Sequence, residues 1–287
     1  MDPSSALIVF REVLEAALVV GIVMAGSKGV AGRGLWVGGG IVAGVLGACA
    51  VAAGADAIQS AAAGVGQELL NAIILFAAVA MLGWHCVWMG RHGRDIARHM
   101  SQVSRAVVQG SRPLYALGIV VGLAVAREGS EAVLFLYGIA AGSDSPASAL
   151  LGGGLLGLAG GAAAGLAIYF GLMRIPARYL FAVTTWMIIL LAAGMASQGA
   201  GFLAQADLLP TLGRRLWDTS GILSDRAIFG YPSDFPLGKV LHTLIGYDAK
   251  PSGIQLLFYA TTLLIIGSLT WILGRPNSPA APAARAA

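Results

Sequence analysis

Arg11-Glu12-Val13-Leu14-Glu15 and Arg127-Glu128-Gly129-Ser130-Glu131 repeat the same three ionisable residues at the same spacing. On a helix of about 3.6 residues per turn, glutamates three apart share a face, and an arginine lies beside the glutamate four residues on. Both runs sit inside long apolar stretches, where ionised side chains are costly and mark ion or proton pathways. Four carboxylates against two guanidinium groups leave an excess of negative charge, which calls for a cation. Carboxylate oxygens are hard ligands suited to magnesium, calcium, manganese and ferric iron, whereas copper(I) favours sulfur. In this reading the arginines hold the carboxylates ionised and compete with the metal, so that it can leave. The alternative is a buried ion pair that joins helices. Two copies, each with one carboxylate in excess, favour the cation site.

The elements that must carry these residues are membrane helices. The 287 residues are 57% hydrophobic and 11% charged, against roughly 25% charged in soluble domains. Apolar runs of about 20 residues match a hydrocarbon core of about 30 Å, and the alternation of a membrane β-barrel is absent. The expected fold is all-α: a polytopic bundle of seven transmembrane helices near 4–25, 35–57, 66–89, 114–141, 148–173, 179–203 and 253–273. Residues 1–274 form one transmembrane domain, with 204–252 an extracytoplasmic segment holding short interfacial helices, for instance around Leu237–Ile245. The tail 275–287, rich in Pro and Ala, reads as disordered and cytoplasmic. Arg and Lys cluster after spans one, three and five and in the tail, and the short loops after spans two and four have none. By the positive-inside rule the N-terminus lies outside and the C-terminus inside the cytoplasmic (inner) membrane. The net charge of +4 follows from this topology and implies no nucleic acid. Two cysteines, Cys49 and Cys86, exclude a disulfide framework and read as packing residues.

An internal repeat relates spans 1–3 to spans 4–6, with the seventh span added. Arg11, Glu12, Glu15, Ala16 and Leu18 match Arg127, Glu128, Glu131, Ala132 and Leu134, and Gly38-Gly39-Gly40 matches Gly152-Gly153-Gly154. Three spans per copy make the copies inverted, a plan that places a shared site near the midplane. Both clusters lie roughly 12–18 Å below the outer surface at about 1.5 Å per residue. Glu68, at the outer start of span three, is an accessory candidate, and Asp56 and Asp144 belong to the outer rim. His85, Met89 and His92 share a face at the inner end of span three. They read as an interfacial helix end with Trp84 and Trp88, or as a soft exit relay. Gln198 and Gln205 either bond a neighbouring helix or coordinate an ion. The glycine runs of spans two and five allow close helix packing. An intramembrane metal-dependent enzyme would need a nucleophile near the clusters. Ser130 is the one adjacent hydroxyl and no histidine joins them, so the residues favour a transporter over an enzyme. A proton-coupled carrier of another solute, with glutamates that titrate and bind no metal, is also compatible.

Two Arg-Glu-x-x-Glu motifs in spans one and four of a seven-span chain resemble the oxidase-dependent high-affinity iron permeases. That family includes the yeast iron permease and the permease of the bacterial Efe ferrous-iron uptake system. The likeness extends to Leu244-Ile245-Gly246-Tyr247 and Pro251-Ser252 before the last span. It implies inward transport of iron as substrate, with no cofactor. Glu12, Glu15, Glu128 and Glu131 would be the metal ligands and Arg11 and Arg127 the motif's basic members. It also implies a separate extracytoplasmic ferroxidase that oxidises Fe2+ and delivers Fe3+. Some family members are associated with lead, which makes lead the alternative cargo.

Overall fold

The structure, a computed structural model, describes residues 1–61, 66–142, 145–171, 177–213, 216–219, 223–224, 227–228, 231–232, 241 and 245–273. Seven long helices carry the described fold: α1 (Pro3–Gly26), α2 (Arg33–Ala61), α3 (Gln67–Val108), α4 (Tyr115–Gly142), α5 (Ala147–Tyr169), α6 (Ala177–Gln205) and α7 (Gly253–Leu273). Five of them, α2, α3, α5, α6 and α7, contain stretches of 21–27 residues long and apolar enough to cross a membrane by length and composition. The other two, α1 and α4, are as long but carry the ionised clusters. Three two-residue strands (Leu223–Ser224, Ala227–Ile228, Tyr231–Pro232) form an antiparallel ladder between α6 and α7. Most of the expected interfacial helix Leu237–Ile245, and the tail 275–287, lie outside the described residues.

The start of α1 is fixed by its own sequence. Asp2 caps the helix by accepting from the Ser5 amide at 2.9 Å, and Pro3 presets the first turn. Asp2 also ties α1 to the start of α5: its amide donates to the Ala149 carbonyl at 2.9 Å, and Ser145 Oγ donates to its carboxylate at 3.3 Å. At the other end, Arg33 Nη1 donates to the Met24 carbonyl at 2.8 Å, a basic partner for the helix C-terminus.

Two glycine-rich interfaces hold the cluster helices, and they are built alike. Along α5 the buried residues are Gly153, Gly157, Gly161 and Gly165, spaced four apart, and α1 lies on this stripe. Gly157 faces the Ala6 carbonyl and Val9, and Gly161 faces the Phe10 carbonyl and Val13. On α2, Gly40 faces the Gly118 carbonyl of α4, Gly44 faces Gly122 and Val125, and Ala48 faces Gly129. Small residues let backbones approach this closely. The match is one residue out of step with the sequence alignment: Gly40, and not Gly39, does for α2 what Gly153 does for α5. Both pairs run parallel, α1 with α5 and α2 with α4.

The remaining contacts complete the directions. Arg11 and Gly26 of α1 meet Cys86 and Ser104 of α3, so these two are parallel. Gly138 and Gly142 of α4 meet Ala78 and Leu75 of α3, so these oppose. Gly201 and Trp186 of α6 meet Gln255 and Gly267 of α7, again opposed, and Phe76 of α3 meets Phe258 of α7 with the rings tilted at 52°. Thus α1, α3, α5 and α7 run one way and α2, α4 and α6 the other. The main core joins Ile8 of α1, Leu75 and Leu82 of α3, Phe135 of α4, and Ile188, Ile189 and Met195 of α6.

The helix α3 corrects the expected boundary. The apolar stretch ends at Met89, but the helix runs on to Val108. Arg91, Arg94, Arg98 and Arg105 therefore lie on a helix and not in a loop. Met100, Val103 and Val107 recur at helical spacing; Val103 is buried, and Met100 and Val107 pack with Val23 of α1, Val37 of α2, and Leu117 and Val121 of α4. Apolar periodicity, and not mean hydropathy, sustains this half. After the ladder, Gly246, at φ +67°, packs against Gly194 midway along α6, where a side chain on either would clash with the other's backbone.

Candidate metal site

Three helices, α1, α3 and α4, bring the ionisable residues together. In α1, Arg11 is 2% exposed; its Nε donates to Glu15 Oε1 at 3.0 Å and its Nη1 to Cys86 Sγ at 3.8 Å. In α4, Arg127 Nε donates to Glu131 Oε1 at 2.9 Å and lies 4.0 Å from Glu128 Oε1. Each arginine thus pairs with the glutamate four residues on, as the spacing requires. The two motifs differ in surroundings. The first is sealed in the core, while Arg127 is 33% exposed, with its guanidinium 4.2 Å above the Trp88 ring. A cavity of about 590 Å³ reaches Arg127, Glu131 and His85 between α3 and α4, walled by Met81, Trp84, Trp88 and Phe135.

The expectation that no histidine joins the clusters is overturned. His85 is 2% exposed, its Nδ1 bonds Glu131 Oε2, and its Nε2 lies 3.7 Å from Glu15 Oε1. The reason is the length of α3: with the helix continuing to Val108, His85 is not at its end but midway, level with Arg11 and Cys86. His92 is exposed, stacked on Trp88 with ring centroids 5.0 Å apart. Cys86, read as a packing residue, is buried but is also the acceptor for Arg11.

One ligand atom each from Glu12, His85, Glu128 and Glu131 lies within 4.8 Å of the other three. An ion with bonds of about 2.1 Å separates opposite ligands by about 4.2 Å, so the four atoms close on one ion with small shifts. Both oxygens of Glu12, Oε2 of Glu15, Oε2 of Glu128 and Nε2 of His85 are buried with no hydrogen-bond partner among the described residues. Buried polar atoms are paired as a rule, and these five share one neighbourhood and one chemistry: donors of electron pairs to a cation.

The other sequence candidates lie elsewhere. Glu68 is exposed in the first turn of α3, roughly 25 Å from His85 at about 1.5 Å per residue. Gln198 lies against Gly142 of α4, and Gln205 is exposed. Ser130 donates to the Ala126 carbonyl of its own helix at 2.5 Å, so its hydroxyl is occupied. Asp144 and the side chain of Asp56 lie outside the described residues.

Comparison with known proteins places the whole helical region in one family. A family model described as the iron permease FTR1 family matches residues 4–275. A ferrous iron permease EfeU of Escherichia coli O6:K15:H31 is 32% identical over 251 residues, covering 86% of this chain and 87% of that protein. An EfeU of Yersinia pestis is 30% identical over 286 residues, covering 98% and 96%. No solved structure matches.

Proposed function

Because this chain belongs to the FTR1 iron permease family, we propose that it carries iron inward across the cytoplasmic membrane through the Arg11–Glu15 and Arg127–Glu131 clusters. Glu12, Glu15, Glu128 and Glu131 are the acidic set that draws in and binds the ion, and Arg11 and Arg127 are its counter-charges. The observation that carries this reading is the convergence of unpartnered buried oxygens from two separate motifs on one point. Iron arrives as Fe3+ after a separate extracytoplasmic ferroxidase has oxidised Fe2+, in keeping with the resemblance to the oxidase-dependent permeases.

All seven helices span the membrane as one domain, residues 1–274, with the N-terminus outside. The alternating directions of α1 to α7 support that count. The two like-built glycine interfaces support an inverted repeat, since exchanging α1 with α4 and α2 with α5 turns one interface into the other. Such a repeat puts the shared site near the midplane, where rocking of one half against the other exposes it alternately to each side.

The test is uptake of radioactive iron into proteoliposomes, with iron offered separately as ferrous ion and as chelated ferric ion. Saturable uptake by the wild type, lost in the Glu12→Gln, Glu128→Gln double variant, is the expected result. The amide keeps the shape and removes the charge. Full uptake by that variant would overturn the site, and the accepted form would decide the oxidation state.

A further inference from the structure

We propose that His85 binds the transported ion through Nε2, and that Glu131 acts on the ion through His85 as a positioning residue. This rests on the iron-permease reading and changes one role in its acidic set, moving Glu131 from ligand to the partner that holds His85. Glu131 is the one motif glutamate with both oxygens already engaged: Oε1 accepts from Arg127 Nε at 2.9 Å, and Oε2 meets His85 Nδ1. The other three each keep at least one buried oxygen without a partner. A carboxylate paired with arginine is an acceptor, so the hydrogen of that second contact sits on Nδ1. To take the ion the ring must be neutral, with its lone pair on Nε2; that atom is buried with no hydrogen-bond partner among the described residues and lies 3.7 Å from Glu15 Oε1. Phe135 meets the ring edge-on, with centroids 6.3 Å apart and planes at 89°, and limits its rotation.

A histidine that donates one ring N–H to a carboxylate and offers the other nitrogen to a metal has its tautomer and direction fixed, and its basicity raised. Arg127 extends the chain by one link: it holds Glu131, which holds His85. The consequence is selectivity. A cage of carboxylates alone suits magnesium and calcium as well as iron, whereas an imidazole nitrogen favours first-row transition ions. His85 is thus the residue through which the site discriminates against the abundant hard cations.

The test is X-ray absorption at the iron edge on purified full-length protein, loaded anaerobically with ferrous iron and separately with ferric iron from a citrate complex. Imidazole scattering is expected in the wild type and in Glu131→Gln, whose amide oxygen still accepts from Nδ1. It is expected to vanish in His85→Ala. Glu131→Ala should weaken iron binding by about 10–100-fold, the usual effect of removing such a partner, with Glu131→Gln restoring most of it. In competition, magnesium and calcium should displace iron from His85→Ala more readily than from the wild type. Iron bound to the wild type without imidazole scattering would overturn this inference and leave the permease reading standing; no iron bound to the wild type would overturn both. The wild-type spectrum decides the matter even if a variant fails to fold.

Discussion

The two arginines occupy equivalent places in their motifs and have unequal tasks. Arg11 is 2% exposed and satisfies Glu15 in the core, while Arg127 is 33% exposed and leans on Trp88 at the cavity wall. Removing one partner of a buried pair costs about 3–5 kcal/mol, because the other charge is stranded. Arg11→Met should lose stability in that range, and Arg127→Met less than half as much; thermal unfolding in detergent, read side by side, checks the order. Equal losses would mean that the cavity does not relieve the second pair. At this scale the sequence was informative about the glutamates and arginines, since an ion in an apolar run stands out. His85 was harder to read. It adjoins Trp84 and lies four residues before the end of the apolar stretch, which is the pattern of an interfacial helix end, and its partners come from helices distant in sequence.

At the scale of the elements, glycine position decides packing. Gly39 is exposed with open space around it, whereas Gly157 faces the Ala6 carbonyl and a methyl there would lie 2.8 Å from the Phe10 amide nitrogen. Overpacking a tight interface costs typically about 1–3 kcal/mol. Gly157→Ala and Gly44→Ala should therefore reduce the yield of monodisperse protein in size-exclusion chromatography, and Gly39→Ala should leave it unchanged. A loss with Gly39→Ala would contradict the orientation of α2. The glycine runs were legible as close-packing surfaces, but not which member of each run makes the contact, because three consecutive glycines carry no phase. The second half of α3 was readable in principle. Its apolar residues Ile96, Met100, Val103 and Val107 keep helical spacing, but the arginines between them lower the mean hydropathy that marks a span.

For the whole molecule, the sequence offers a prediction of direction and none of partnership. The basic residues after spans one, three and five predict which ends face the cytoplasm, and the alternating helices are compatible with that. With Cys49→Ala and Cys86→Ser as background, Leu208→Cys should react with a membrane-impermeant maleimide in intact cells. Ser111→Cys should react only after permeabilisation. The opposite pattern would invert the molecule. Nothing local in the sequence announces that α1 pairs with α5 and α2 with α4, because these contacts join segments far apart in the chain.

That exchange of partners sets a timetable for biosynthesis. The helix with Arg11, Glu12 and Glu15 leaves the ribosome well before the glycine stripe that receives it, which ends at Gly165. At about 5–20 residues per second the interval is roughly 7–30 s. Throughout it the nascent chain holds three ionised side chains without that packing surface, and for most of it without the opposing cluster. The helix waits for its housing, and its early custody falls to the insertion machinery and not to the protein's own fold.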